Sequence, residues 1–312
     1  MQKVITSIIM LCTFIMVGCS KEVAYEPVTV NAKGAMIVET RNGRVLFEKN
    51  ATEKYPPAST VKVMTAILAV ENIPLDETIV PSKKALYVEP TIAGLREGVE
   101  YKLKDLILAI LIKSANDAAR VIAEAVAGSQ EEFAKMMNNK AKEIGMENTY
   151  FVKASGLPTG KKDKQYTTAK DLTRMMRYAA QYEVILEAMS KKEANISGSD
   201  GRNIYLKTHN KALLRDGDAP WGKTGYTREA RRTFAGVDPS LNPCIAFGLL
   251  KSTALWDDIR TLKTRGLEIY EIKSKTFISD LIEWVKNARE SGRETLEKIK
   301  LIKENGHIEG TG

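Results

Sequence analysis

Histidine is almost missing from this chain: in 312 residues only His209 and His307 occur. That scarcity removes much chemistry at once. There is no HExxH motif and no clustered His/Cys set, so neither a catalytic nor a structural zinc site is expected, and no cofactor is expected either. A Ser-His-Asp triad would have to use His209, because His307 lies in a polar tail, and no GxSxG elbow exists to supply its serine. Cysteine is nearly as rare. Of the three cysteines, Cys244 lies in PCIAFGLL, an apolar strand-like run where a buried structural thiol is expected. No Lys/Arg cluster is interleaved with aromatics, which speaks against nucleic acid as a partner. Internal repeats and low-complexity tracts are absent from the sequence.

What is present describes a folded protein. Hydrophobic residues make up 44% and charged residues 28%, the balance of a globular chain. The length allows one large domain or two ordinary ones. A net charge of +8 implies anionic surroundings: nucleic acid, a membrane surface or a cell-wall polymer. The opening MQKVITSIIMLCTFIMVGCSKE carries one lysine, Lys3, and then an uncharged run from Val4 to Gly18. That run is short of the about 20 residues of a membrane-spanning helix and suits a secretory signal peptide over residues 1–18. It ends in Met-Val-Gly-Cys, which resembles a bacterial lipobox, although methionine replaces the commoner leucine. Cys19 is then the expected lipidated first residue of an exported protein, held to a membrane of the cell envelope. With Cys244 left as the one thiol, no intrachain disulfide is expected.

Along the chain, GAMIVETRNGRVLFEKN reads as two strands joined by a hairpin at Arg-Asn-Gly. STVKVMTAILAVEN reads as a helix beginning at Ser59. Residues 74–104 read as short strands and turns punctuated by Gly94 and Gly98. DLILAILI, 105–112, is apolar all round and therefore a buried helix. Two helices follow, closed by Gly128 and Gly145, and then TTAKDLTRMMRYAAQY, capped by Thr167 or Thr168. GRNIYLKTHNKALL reads as a polar connection. WGKTGYT, RRTFAGV and CIAFGLLK are three strand candidates in series, and ALWDDIRTLKTRGLEIYE is a helix. Strands at both ends and helices between them imply one discontinuous sheet domain. Residues 273–312 are expected to form a charged helical tail.

Three short motifs stand in one order: Ser59-Thr60-Val61-Lys62, then Ser114-Ala115-Asn116 after the buried helix, then Lys223-Thr224-Gly225 on a strand candidate. Taken singly, Ser59 is an ordinary helix cap, Asn116 a turn residue and Lys223 a strand lysine. Taken together they match the S-x-x-K, Ser-x-Asn and K-T-G set of penicillin-reactive serine enzymes. A serine hydroxyl needs a neighbouring base, and positions i and i+3 share a helix face, which brings Lys62 to Ser59. Desolvation and nearby Lys223 are expected to lower the pKa of Lys62 so that it acts as that base. Ser114 is expected to relay the proton toward the leaving group, Asn116 to hold a substrate amide, and Lys223 and Thr224 to bind a terminal carboxylate. Gly225 lets substrate lie against the strand. The N–H groups of Ser59 and Tyr226 are the expected oxyanion hole.

With these motifs, residues 25–272 resemble the D-alanyl-D-alanine carboxypeptidases, low-molecular-mass penicillin-binding proteins of the serine DD-peptidase type. GLREGVEYKLKDLILAILIKSANDAARVIAEAVAGS, MNNKAKEIGMENTYFVKASGLP, QYTTAKDLTRMM and HNKALL are similar to successive family blocks. The resemblance implies a mixed α and β, β-lactamase/transpeptidase-like fold, a five-stranded antiparallel sheet flanked by helices plus a mainly helical region. It implies acylation of Ser59 by a peptidoglycan stem peptide ending in D-Ala-D-Ala, with β-lactams as covalent inhibitors. Two alternatives use the same chemistry: a DD-endopeptidase that cuts cross-links, and a class A β-lactamase. The latter needs a glutamate in an ExxLN loop, where this chain reads FVKASGLPTG. A non-catalytic envelope-binding module is a third reading, against which the intact Ser59, Lys62 and Lys223 argue. Two departures stand out. The family's Ala-Gly after K-T-G is here Ala230-Arg231. Many members also carry a second β-rich domain and a carboxy-terminal anchor; the residues after 272 are too few for such a domain, and a lipid on Cys19 would replace the anchor.

Overall fold

Apolar residues at period two and apolar residues at period 3.6 both need a partner face, and here one sheet supplies it on both of its sides. The computed structural model describes residues 28–160, 164–240 and 243–269, together with 286 and 287. The expected signal peptide, Cys19 and almost all of the charged tail lie outside the described residues. In chain order the strands are β1 Gly34–Glu39, β2 Val45–Lys49, β3 Thr78–Ile79, β4 Tyr101–Lys102, β5 Glu193–Ser197, β6 Asn203–Lys207, β7 Trp221–Thr227, β8 Arg231–Asp238 and β9 Ile245–Ser252. The helices are α1 Val61–Asn72, α2 Lys83–Leu86, α3 Leu103–Leu111, α4 Asn116–Ala127, α5 Gln130–Glu143, α6 Ala169–Ala179, α7 Glu183–Ser190 and α8 Lys211–Arg215, with α9 over 255–269.

Five strands form one antiparallel sheet in the order β2-β1-β9-β8-β7. The sheet is discontinuous in sequence, as expected: β1 lies against β9 with Gly34 opposite Leu250 and Glu39 opposite Ile245. Strand alternation divides the apolar residues between two cores. Ile37, Phe234, Phe247 and Leu249 pack under Leu255, Ile259 and Leu262 of α9. Met36, Val38, Ala235 and Val237 face the other way, into the larger core with α1, α3, α4 and α6. The α9 side is fastened by Asp258, whose carboxylate accepts from Asn31 N at 2.6 Å, Ala32 N at 2.8 Å and Ser252 Oγ at 2.6 Å.

The all-round apolar run forms α3, with Leu106, Ile107, Ala109 and Ile110 fully buried. Each large side chain so placed contributes about 1.5–3 kcal/mol, which holds the chain that follows it, Ser114 to Asn116, against the sheet domain. Gly128 ends α4 at φ +74° and Gly145 follows α5 at φ +79°, and Thr168 caps α6 by accepting from Asp171 N. One stretch differs from the sequence reading. GRNIYLKTHNKALL is no plain connection: it holds β6, paired with β5 as a separate hairpin, and α8. Only Ile196, Ile204 and Leu206 of this ribbon are deeply buried, so its alternation is diluted by the polar residues on its wet face.

Candidate active site

The backbone around Ser59 is shaped before any side chain acts. A 3-10 turn, Ala58–Thr60, precedes α1, so the α-helix begins two residues later than the sequence implies, and no side chain caps either element. The Ser59 hydroxyl is therefore not engaged as a cap. Ala58 holds φ +50°, and Gly156 is pressed beneath it: a Cβ on Gly156 would stand 2.0 Å from the Ala58 carbonyl oxygen. From the other side comes Gly225, where a Cβ would lie 2.8 Å from Ser59 N and 2.4 Å from Thr233 Oγ1. Thr233 itself donates to the Pro57 carbonyl at 3.0 Å. Two glycines thus clamp the nucleophile's backbone, and only glycine fits either position.

Lys62 is one turn along and has no exposed surface. Its Nζ lies 3.0 Å from Ser59 Oγ, 2.8 Å from Asn116 Oδ1 and 2.5 Å from the Ser155 carbonyl oxygen. Desolvation, and after it the charge of Lys223, pushes its pKa well below that of an ordinary lysine, against an opposite pull from Asp117. A neutral amine has two N–H donors and one lone pair. When the amine is neutral, Asn116 and Ser155 take the two donors and the lone pair is left for the Ser59 hydroxyl. That is the arrangement of a base with its nucleophile.

The other motifs meet here. Asn116, 3% exposed, has both amide ends engaged, Oδ1 by Lys62 and Nδ2 by donation to the Glu89 carbonyl at 2.9 Å. Its place is that of a positioning residue for Lys62. Ser114 holds φ +62° and is 7% exposed at the cleft wall. A left-handed backbone at a non-glycine residue costs about 1–2 kcal/mol and is characteristic of functional positions. Asp117 is buried next to Asn116 and accepts from the N–H groups of Ala93, Gly94 and Leu95, tying the 93–95 loop to the start of α4. Lys223 is 1% exposed, donates to the Thr224 carbonyl at 2.6 Å, and is pushed down to about 7 by burial. β7 is an edge strand, so alternate N–H groups, in the stretch that holds Tyr226, are free to face the cleft. Tyr226 itself projects into solvent, 62% exposed.

Above this floor opens a cleft of about 460 Å³ whose walls include Ser59, Ser114, His209, Thr224, Gly225 and Tyr226. Among the described residues its lining carries Lys211, Arg232 and His209 and no carboxylate. His209 therefore meets no acid there; desolvation against the cleft wall, then the charges of Lys223, Lys62 and Lys113, lower its pKa. Arg231, the departure noted in the sequence, stands at φ +54° and points to solvent. The conformation explains why glycine suits that position, and it places Arg232, not Arg231, in the cleft. Two contributors escaped the sequence reading: Ser155, because a backbone carbonyl carries no side-chain signature, and Gly156, whose role depends on Ala58, distant in sequence. The described residues hold no group of His, Cys, Asp and Glu able to bind a metal ion. Cys244 is half-buried beside β9 with its thiol pKa raised by burial, an unreactive setting.

A serine hydroxyl backed by a desolvated lysine amine, on a five-stranded antiparallel sheet with helices on both faces, is the equipment of an acyl-transferring hydrolase of the penicillin-binding fold. The chain belongs to the D-alanyl-D-alanine carboxypeptidase family, whose profile matches residues 21–238. Among curated relatives it is 33% identical over 217 residues to the D-alanyl-D-alanine carboxypeptidase DacF of Bacillus subtilis, covering 68% of this chain and 54% of that one. It is 30% identical over 240 residues to DacB2 of Mycobacterium tuberculosis, covering 75% and 81%, and 32% identical over 205 residues to the D-alanyl-D-alanine endopeptidase of Escherichia coli, covering 63% of each. The chain therefore spans about half the length of the Bacillus relative. Of solved structures, the carboxypeptidase of M. tuberculosis H37Rv superposes with a TM-score of 0.74 at 27% identity, over 79% of this chain and 95% of that one. A point variant of the Streptomyces K15 DD-transpeptidase gives 0.72 at 25%, over 78% and 100%.

Proposed function

We propose that this protein is a serine D-Ala-D-Ala carboxypeptidase of the bacterial envelope that removes the terminal D-alanine from peptidoglycan stem pentapeptides. The observation that carries the reading is the 3.0 Å approach of Lys62 Nζ to Ser59 Oγ, with Lys62 fully buried and facing a second lysine. Ser59 Oγ attacks the carbonyl carbon of the penultimate D-alanine while its proton passes to Lys62. The oxyanion is held by the N–H groups of Ser59 and Tyr226. The proton then moves, through the Ser114 hydroxyl, to the departing amine, and D-alanine leaves an ester on Ser59. Water attacks that ester, giving a proton to Lys62 and restoring the hydroxyl. Lys223 and Thr224 hold the carboxylate of the leaving residue. The same serine takes β-lactams as a stable ester, since among the described residues no carboxylate lines the cleft to activate water efficiently.

A second reading, cleavage of cross-links, has support in the relatives named D-alanyl-D-alanine endopeptidase at 30% and 32% identity. One incubation separates the two. With a mixture of pentapeptide monomer and cross-linked muropeptide dimer, mass spectrometry is expected to show loss of one alanine from the monomer and an intact dimer. Conversion of dimer into two monomers would put the endopeptidase reading in its place.

Anchoring at the envelope is assigned to a lipid on Cys19, on the strength of the Met-Val-Gly-Cys sequence after the uncharged run. Cys19→Ser is expected to move the protein from the membrane to the soluble fraction of exported material. An unchanged membrane fraction would reject the lipid.

A further inference from the structure

The mechanism leaves one buried hydroxyl of α1 without a task. Two threonines with no exposed surface, Thr60 and Thr65, lie near the start of that helix. Thr60 uses its hydroxyl locally, donating to the Pro57 carbonyl three residues back at 2.8 Å, the habit of threonine near a helix end. Thr65 does not. Its Oγ1 reaches out of the helix and donates to the carbonyl of Ala154, 89 positions away, at 2.8 Å. Thr65 also follows Lys62 by three residues, so both side chains leave α1 on one face.

That face meets a tight turn. Gly156 N donates to the Lys153 carbonyl at 3.1 Å, which closes a β-turn over 153–156. The carbonyls of its two central residues, Ala154 and Ser155, stand outside the turn's own hydrogen bond. Both residues are buried, so each carbonyl needs a donor from elsewhere. Helix α1 supplies both, Thr65 Oγ1 to Ala154 and Lys62 Nζ to Ser155 at 2.5 Å. The same turn carries Gly156, which presses on Ala58 beside the nucleophile. The position of the turn therefore bears on the base and the nucleophile together. Lys62 is a poor anchor for it, because its proton count changes within each turnover, whereas the Thr65 hydroxyl keeps its one donor throughout.

We propose that Thr65 is a positioning residue for the acylation step: it pins the 153–156 turn so that the Ser155 carbonyl holds one N–H of Lys62 and the amine's lone pair stays with the Ser59 hydroxyl. This rests on the reading of Lys62 as the base of Ser59. Without the hydroxyl, the Ala154 carbonyl is buried and unpaired, a costly state that the turn relieves by rotating toward another donor or toward water. Rotation withdraws the Ser155 carbonyl from Lys62 as well, since the two carbonyls belong to adjacent planar peptide units. A carbonyl acceptor favours the charged amine. Its withdrawal therefore lowers the pKa of Lys62 further, while the amine is freed to turn away from Ser59. Rate and pH profile then move together, which a mere loss of packing does not reproduce.

The test is stopped-flow acylation by a chromogenic penicillin across pH, in Thr65→Val and Thr65→Ser. Thr65→Val keeps the shape and removes the donor. Its limiting acylation rate is expected to fall about 10- to 100-fold, the worth of one buried hydrogen bond, and its rise with pH to begin lower than in the wild type. Thr65→Ser keeps the donor and is expected to recover most of the rate and the wild-type profile. Lys223 on β7 and Asp117 on α4 are the charges that act on Lys62, and His209 ahead of α8 feels Lys62 in turn. None of them is altered, so a displaced profile belongs to the turn. Should the buried valine unfold the chain, Thr65→Ala against Thr65→Ser repeats the comparison, because those two differ by the hydroxyl alone. A wild-type rate per folded molecule in Thr65→Val overturns the assignment. So does a lowered rate whose pH profile stays in place, or loss of folding in both Thr65→Val and Thr65→Ala, each of which makes Thr65 structural. Failure of the underlying reading looks different: acylation in the wild type itself would show no rise below the 10.5 of an ordinary lysine.

Discussion

Ser59→Ala is expected to abolish D-alanine release and stable labelling by a fluorescent penicillin, with the fold intact. The covalent step needs this one hydroxyl, and no other described serine combines cleft exposure with a neighbouring amine: Ser114 shares the cleft, but Lys62 Nζ is directed at Ser59, Asn116 and Ser155. Because Ser59 caps neither the 3-10 turn nor α1, its loss removes no helix-terminal hydrogen bond. The melting temperature is expected to stay within a degree or two, as for a substitution that opens no large cavity. Label retained by the alanine variant would transfer the nucleophile elsewhere and defeat the mechanism.

Lys62→Ala is expected to reduce acylation by roughly 10²–10⁴-fold, the range for loss of a positioned general base. The pH dependence carries the sign. The competent form of Lys62 is the neutral amine, so acylation rises with pH as its proton leaves. Desolvation and Lys223 lower the pKa of that proton, and the rise is therefore expected well below the 10.5 of an ordinary lysine. Stopped-flow acylation by a chromogenic penicillin reads both effects. The rise should vanish in Lys62→Ala; a wild-type rise centred on the ordinary lysine value would show that Lys62 stays protonated and is not the base.

Burial has a matching consequence for folding. Lys223 binds its proton less tightly when folded, at about 7, than at its ordinary 10.5. Between those values the unfolded chain carries more protons, so the contribution of this group to stability grows as pH rises and is smallest below about 7. Keeping two amines out of water at neutral pH thus lowers the stability of the fold.

Much of this was legible in the chain itself. The apolar run of α3, the Gly128 and Gly145 stops, the Arg-Asn-Gly hairpin and the three late strands follow from periodicities and turn chemistry that act over a few residues. The order of Ser59–Lys62, Ser114–Asn116 and Lys223–Gly225 followed from sequence in the same way, and the i, i+3 spacing put the base beside its nucleophile. The β5–β6 hairpin was hidden because a ribbon with three deeply buried side chains writes a weak pattern. The helix start was misplaced because a 3-10 turn and an α-turn draw on the same residues.

Local sequence, then, determined which side chains this protein has for its chemistry and the one-turn pairing of Ser59 with Lys62. Tertiary structure alone decided the rest: that Lys62 loses its water, that the Ser155 carbonyl and Asn116 occupy its two donors, that Gly156 and Gly225 hold Ser59 from either side, and that Arg232 and not Arg231 enters the cleft. The physical reason is common to all of these. A side chain's charge state and direction depend on what surrounds it and on the register of the strand that carries it. Both are set by contacts between segments far apart in the chain, such as Lys62 with Ser155 at a separation of 93, which no local pattern encodes.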